Sequence, residues 1–136
     1  MATVYLGLGS NLGSREDYLK AAIREIDSRI GPVGAQSDFI ETDPWGYESD
    51  NKYINTVIKV ETGLSPMEVL DETQQIEREL GRTEKNVYHD RTIDIDILIY
   101  EQEGQSVRME TERLTLPHPR MEKRDFVMSG LLAVGY

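Results

Sequence analysis

Residues 92–100 read TIDIDILIY, and this stretch decides the fold. Four isoleucines alternate with other residues, which is the period-two pattern of a β-strand. Aspartate is disfavoured in strands and costly to bury without a partner, so the two acidic residues within the stretch need an explanation. The alternation predicts all four isoleucines on the face under the helices, with Asp94, Asp96, Leu98 and Tyr100 on the opposite face.

The aspartate pair points to a metal ion. Residues two apart in a strand have Cα atoms about 6.5–7 Å apart, and like charges so close repel unless a cation lies between them. Two carboxylates suit Mg²⁺, which keeps several water ligands and binds polyphosphates, and Arg91 just before the strand favours such a metal–phosphate site. Two alternatives stay open: a water-exposed sheet face that tolerates both charges, and the DxD pattern of sugar-nucleotide transferases.

The elements around this strand predict an α+β fold. They are a strand at 3–9, a helix from 14 to 30, a weaker strand at 33–42, strands at 53–62 and 92–100, and a helix from 65 to 81. The second helix begins with Ser65, Pro66 and Glu68 at the N-cap, N1 and N3 positions of a capping box. The order βαββαβ predicts a ferredoxin-like sandwich, an antiparallel sheet with helices on one face.

The remaining residues predict a short C-terminal appendage. It contains a short strand near 107–109, the rigid segment LPHPR at 116–120, and a helical tail over 122–133. Repeats, low-complexity tracts and linkers are absent from the sequence. We therefore expect one domain over residues 1–136.

Composition narrows the class of protein. The net charge of −10 argues against nonspecific binding to nucleic acid or membranes, yet nine of the fifteen Lys and Arg residues lie between Arg78 and Arg124. A local basic cluster on an acidic chain favours a small anionic ligand over a polymer, with simple scatter of charges as the alternative. The lack of cysteine, of a signal-peptide pattern and of a long apolar run predicts a cytoplasmic protein. No coiled-coil pattern demands an oligomer, so a monomer is expected.

Three further patterns each allow a structural or a functional interpretation. GLGSNLGS at 7–14 is a tight strand-to-helix turn, or it lets a flat ligand approach the backbone. Tyr53 and Asn55 share a strand face, where they could cover and read a heterocycle or simply occupy a sheet edge. His118 is a loop histidine held by prolines, or a donor to phosphate or ribose.

Taken together, these motifs resemble the 6-hydroxymethyl-7,8-dihydropterin pyrophosphokinases of folate biosynthesis. The resemblance runs from about Val4 to Leu132. It rests on GSNLG at 9–13, TDPWG at 42–46, YINTV at 53–57, TQQIE at 73–77, GR at 81–82, DRTIDIDIL at 90–98 and ERLTLPHPRMEKRDFV at 112–127. Each motif is weak alone, but their order and spacing are specific.

The resemblance implies roles for individual residues. Asp94 and Asp96 would bind two Mg²⁺ ions that bridge the phosphates of the co-substrate ATP, and Arg82, Arg91 and Asp96 would be catalytic. The pterin would contact Thr42, Pro44, Trp45, Tyr53, Asn55 and Phe126. ATP would contact Gln74, Glu77, Arg91, Arg113, Thr115, His118 and Arg124.

Other classes of protein make different predictions. A noncatalytic ferredoxin-like module would bind a ligand without forming AMP. A DxD sugar-nucleotide transferase would have no affinity for a pterin. A degenerate homologue is the third alternative, because Glu84 stands where family members usually carry a second basic residue. All three would fail to release AMP from ATP in the presence of the pterin alcohol.

Overall fold

The computed structural model describes residues 1–43, 52–81 and 92–136. Its elements are β1 (Ala2–Ser10), α1 (Arg15–Arg29), β2 (Val33–Gln36), β3 (Ile40–Thr42), β4 (Tyr53–Thr62), α2 (Pro66–Glu79), β5 (Asp94–Gln102), β6 (Gln105–Ser106), β7 (Met109–Glu110), β8 (Thr115–Leu116), a 3₁₀ turn (Met121–Lys123) and α3 (Asp125–Ala133). The predicted order is confirmed. The weak strand at 33–42 is two short strands.

The main sheet is antiparallel and has β1 at its centre. Its strand order is β2-β4-β1-β5-β6, with β3 also paired to β4. β1 thus lies between β4 and β5, the two strands joined through α2, which is the split βαβ arrangement. The predicted ferredoxin-like α+β fold is confirmed. None of the helices within the described ranges is long and apolar enough to cross a membrane.

The larger core lies between the sheet and helices α1 and α2. Leu19 and Ile26 of α1 and Ile76 of α2 are fully buried there, against β1 side chains such as Leu6 and β5 side chains such as Ile95. Each side chain of this size stabilises the fold by roughly 1.5–3 kcal/mol when it leaves water. This layer fixes the sheet as a rigid platform.

The predicted capping box of α2 is present. Ser65 Oγ accepts from the Glu68 backbone N–H at 3.3 Å, and a Glu68 carboxylate oxygen accepts from the Ser65 N–H at 2.9 Å. The hydrogen bond from the Ser65 backbone lowers the pKa of Glu68 from its ordinary value. At α1, the N-cap residue Ser14 makes no side-chain hydrogen bond to the helix.

The C-terminal appendage covers part of the opposite sheet face. Val127 and Leu131 of α3 pack with Tyr5, Val57 and Leu98 in a second, smaller core. Helix and sheet approach closely at Gly130, where an added Cβ would lie 2.4 Å from a Val57 methyl carbon. The remainder of this face is left for a cleft.

A β-bulge corrects the predicted alternation of β5. The register with β1 shifts between its pairs Tyr5–Ile99 and Leu6–Ile97, so Leu98 is an extra residue. An extra residue reverses the faces of all that follow it. Ile99 therefore joins the second core and Tyr100 the first, opposite to the prediction, whereas the residues up to Leu98 lie as predicted.

Candidate active site

A cleft opens on the sheet face that α3 leaves uncovered. It encloses about 700 Å³, including its solvent-open mouth, a size that suits a small-molecule ligand. Eight predicted site residues line it: Thr42, Tyr53, Asn55, Asp94, Asp96, His118, Arg124 and Phe126. Strands β1, β4 and β5 supply its floor, while α3 and the segment before it supply one wall.

The aspartate pair lies on the cleft floor, as the alternation predicts. Asp94 and Asp96 are half-buried, and their strand partners on β1 are Gly9 and Gly7. Neither glycine has a side chain, so both carboxylates lie beside bare backbone. Oxygen-only donors next to open space are what Mg²⁺ requires, because it retains water and phosphate oxygens in its remaining positions. Within the described residues, no cluster of three His, Cys, Asp or Glu forms a complete metal site.

Gly9 lies between the aspartates and the polar residues of β4. Across the sheet, Asp94, Gly9 and Asn55 form one row, and neighbouring strands lie about 4.8 Å apart. Asp94 and Asn55 are thus about 10 Å apart at their Cα atoms. A methyl group at Gly9 would lie 2.9 Å from Asn55 Oδ1 and 3.2 Å from Tyr53 Cδ1. The floor here has no room for a side chain.

The Asn55 amide is held in one orientation. Its nitrogen donates to the Ile40 carbonyl at 3.2 Å and to Thr42 Oγ1 at 2.7 Å. A carbonyl only accepts, so the NH₂ group must face β3, and Oδ1 must lie towards Gly9. Both amide hydrogens are used within the protein. Asn55 therefore offers the cleft an acceptor, which suits an N–H edge of a heterocycle.

Aromatic side chains frame the same part of the cleft. Tyr53 lies beside Asn55 on the cleft face of β4, and Phe126 projects from the first turn of α3. Both side chains are half-buried, so their rings keep surface available to a ligand. Two aromatic groups beside a fixed amide acceptor suit a flat, hydrogen-bonding ring.

The β5 bulge ties the LPHPR segment to the cleft. The Leu98 carbonyl accepts from the His118 backbone N–H at 2.8 Å. Because Leu98 is two residues beyond Asp96 in β5, this hydrogen bond brings His118 into the cleft lining on the Asp96 side. The His118 Nδ1 accepts from the Arg120 N–H at 3.1 Å. A neutral imidazole bonded in this way carries its proton on Nε2 and can donate it to an anion. Arg124, at the N-cap of α3, adds a cation to the same wall.

Two predicted ATP contacts lie together on α2 and the segment before β8, outside the cleft lining. An Arg113 guanidinium nitrogen donates to Asp71 Oδ1 at 2.7 Å and to Gln74 Oε1 at 3.0 Å. The Arg113 and Asp71 side chains are about half exposed, so the ion pair contributes little to stability. Thr115 is half-buried in β8, a strand that contacts β5.

Glu77 is buried against the strand that carries the aspartates. Only 3% of it is exposed, and its carboxylate accepts from the Ile95 backbone N–H at 2.8 Å. Ile95 lies between Asp94 and Asp96, so Glu77 fixes the backbone from which both carboxylates project. This contact with β5 was not predicted from the sequence.

Four predicted site residues, Pro44, Trp45, Arg82 and Arg91, lie outside the described ranges. The cleft also contains residues that were not predicted as site residues: Gly7, Leu8, Gly9, Asp43, Leu98, Met121 and Val127. Gly7 and Gly9 could have been identified from the sequence, because glycines two positions apart in a strand leave one face of that strand without side chains.

Comparison with known proteins identifies the family. The family model described as 7,8-dihydro-6-hydroxymethylpterin-pyrophosphokinase matches residues 5–135. A Porphyromonas gingivalis protein named 2-amino-4-hydroxy-6-hydroxymethyldihydropteridine pyrophosphokinase is 48% identical over 134 residues, covering 96% of this chain and 89% of that protein. The Bacillus subtilis protein of the same name is 43% identical over 131 residues, covering 96% and 76%. The Schizosaccharomyces pombe folic acid synthesis protein fol1 is 36% identical over 131 residues, which make up 17% of its length. The chain therefore belongs to the 7,8-dihydro-6-hydroxymethylpterin-pyrophosphokinase family.

Proposed function

We propose that this single-domain enzyme transfers pyrophosphate from ATP to the hydroxymethyl group of 6-hydroxymethyl-7,8-dihydropterin, and so serves folate biosynthesis. Family membership supports a pyrophosphokinase. The observation that supports the specific reaction is the cleft, whose floor holds both a carboxylate pair and a fixed amide acceptor. The Cα atoms of Asp94 and Asn55 are about 10 Å apart. One end suits a nucleotide's phosphates and the other suits a pterin ring.

Asp94 and Asp96 are the proposed ligands of two Mg²⁺ ions. When bound, these ions would neutralise the triphosphate and polarise the attacking oxygen. The residues fit that task because two half-buried carboxylates project from a rigid, hydrogen-bonded strand beside a floor of glycine backbone. The bare floor beside Asp96, at Gly7, leaves space for phosphate oxygens.

Asn55, Tyr53 and Phe126 are the proposed pterin contacts. The acceptor Oδ1 of Asn55 would receive an N–H of the ring, and the two aromatic side chains would cover its faces. Thr42 acts through Asn55, since its hydroxyl oxygen holds the amide nitrogen. Pro44 and Trp45 complete the proposed pocket from outside the described ranges.

His118 and Arg124 are the proposed ATP contacts on the cleft wall. The Nε2–H of His118 and the guanidinium of Arg124 both suit a phosphate oxygen. Gln74, Glu77, Arg113 and Thr115 lie beyond the edge of β5, and we propose that the adenosine part of ATP lies on that side. Arg82 and Arg91 remain proposed catalytic cations.

The reaction needs positioning and neutralised charge more than covalent help. The pterin hydroxyl oxygen forms a bond to the β-phosphorus of ATP, and the bond from that phosphorus to the α–β bridging oxygen breaks. AMP leaves with the electron pair of the broken bond. The hydroxyl proton passes to a carboxylate, for which Asp96 is the proposed acceptor. The cationic side chains stabilise the charge that develops on the transferring group.

The test is an assay for AMP with ATP, Mg²⁺ and the pterin alcohol. Asp94→Ala and Asp96→Ala should each abolish AMP formation while the circular dichroism spectrum and melting temperature stay near those of the wild type. Asp17→Ala, in the first turn of α1 on the other sheet face, is the matched control and should retain full activity. AMP formation by both cleft variants at the wild-type rate would refute the metal assignment. Absence of AMP from the wild type would refute the reaction.

A further inference from the structure

Gly9 lies where a side chain would collide with two neighbouring side chains. Its Cα faces the cleft between Asp94 on one neighbouring strand and Asn55 on the other. A methyl group in place of its hydrogen would come within 2.9 Å of Asn55 Oδ1 and 3.2 Å of Tyr53 Cδ1, both shorter than ordinary van der Waals contact. The two side chains proposed to hold the pterin thus occupy the space that a side chain at residue 9 would need.

Asn55 cannot move aside without losing its hydrogen bonds. Its amide nitrogen is held by the Ile40 carbonyl and by Thr42 Oγ1, and only 7% of the residue is exposed. Rotation that relieved the contact at Oδ1 would carry the nitrogen away from both acceptors. A methyl group at residue 9 would therefore turn the acceptor oxygen away from its present position.

We infer that Gly9 is a specificity-determining position that sets the acceptor of Asn55 and the ring of Tyr53 for an N–H-bearing heterocycle. This inference rests on the proposed function. Gly9 acts by lacking a side chain, and it positions the two contacts instead of touching the reacting atoms. The nucleotide part of the site, built on β5 and the α3 wall, does not depend on these contacts.

The experiment measures binding of two ligands to Gly9→Ala by calorimetry. With a nonhydrolysable ATP analogue and Mg²⁺ present, the Kd for the hydroxymethyl pterin should rise at least about tenfold, the change that corresponds to one lost hydrogen bond. The Kd for the Mg²⁺–nucleotide analogue should stay within about twofold of the wild type. Gly34→Ala, in β2 of the same sheet, is the matched control, because its added methyl group meets only the Lys59 carbonyl oxygen, at 3.9 Å.

A double-mutant cycle separates the steric effect from general damage. In an Asn55→Ala background, the side chain that blocks residue 9 is shortened, so Gly9→Ala should weaken pterin binding far less than it does in the wild type. Should the single variant not fold, the double variant must fold as well as Asn55→Ala does; continued unfolding would overturn the inference.

The possible outcomes distinguish this inference from the proposed function. Wild-type protein that binds no pterin would refute the proposed function. Wild-type protein that binds pterin, together with a Gly9→Ala variant of unchanged pterin Kd, would overturn the inference alone. Equal losses of pterin and nucleotide binding in Gly9→Ala would also overturn it, because they would show general damage to the cleft.

Discussion

Replacing Glu77 should destabilise the ligand-free protein. Only 3% of Glu77 is exposed, and its carboxylate accepts from the Ile95 N–H at 2.8 Å. An intramolecular hydrogen bond contributes about 0.5–1.5 kcal/mol net, and a buried N–H left without an acceptor costs about 1–3 kcal/mol. These two values describe the same loss and are not added. Glu77→Leu should lower the free energy of unfolding by about 2–3 kcal/mol. Glu77→Gln keeps an oxygen acceptor and should lower it by about 1 kcal/mol.

The assays are urea and thermal denaturation of the apo protein, supported by hydrogen exchange at the Ile95 amide. For a chain of this length, the melting temperature falls by roughly 3–5 °C per kcal/mol, so Glu77→Leu should melt roughly 6–15 °C lower. Exchange at Ile95 should accelerate in Glu77→Leu and much less in Glu77→Gln. Glu72→Leu, at a half-buried position on the same helix, is the control and should change stability by less than about 0.5 kcal/mol.

The same measurement tests two roles of Glu77 against each other. A residue that only contacts ATP would leave the stability of the nucleotide-free protein unchanged. A residue that anchors β5 would lower it before any ligand is added. Equal stabilities of Glu77→Leu and Glu72→Leu would therefore refute the reasoning from the buried hydrogen bond.

Three further predictions concern other contacts. Hydrogen bonds from Arg29 hold the pKa of Glu79 at about 2, below its ordinary 4.5. The Glu79 carboxylate therefore stabilises the fold fully above about pH 4.5, and this stabilisation is lost as the pH falls through 2. The difference in melting temperature between wild type and Glu79→Gln should shrink over that pH range. Gly130→Ala places its Cβ 2.4 Å from a Val57 methyl carbon and should lower the free energy of unfolding by about 1–3 kcal/mol in urea titrations. Thr42→Val removes an acceptor of the Asn55 amide and should raise the pterin Kd about tenfold, while calorimetry shows an unchanged nucleotide Kd.

Local patterns predicted the elements because local physics forms them. The alternation in TIDIDILIY predicted the face of Asp94 and Asp96, and the Ser65 capping box predicted the start of α2 to the residue. The bulge at Leu98 was not predictable, because isoleucine continues the alternation beyond it and the shift exists only relative to β1. The helical tail was predicted, but its position on the sheet face opposite α1 and α2 depends on packing between distant residues.

The sequence predicted some of the residues that line the cleft, but only part of the cleft's geometry. Asn55 and Tyr53 were predicted to share a strand face, and both line the cleft. The position of Gly9 between Asp94 and Asn55 depends on the registers of β1 with both neighbours, which no stretch of sequence encodes alone. The resemblance implied only an ATP contact for Glu77, and it is the packing of α2 on β5 that shows it buried.

The two faces of the central sheet serve different purposes in this small enzyme. Its helix-covered side holds most of the buried aliphatic side chains, whereas its other side carries the cleft. Core residues beneath α1 can consequently change during evolution, or be engineered for heat resistance, with little effect on turnover. Such a partition allows a lineage to adapt its durability and its chemistry separately.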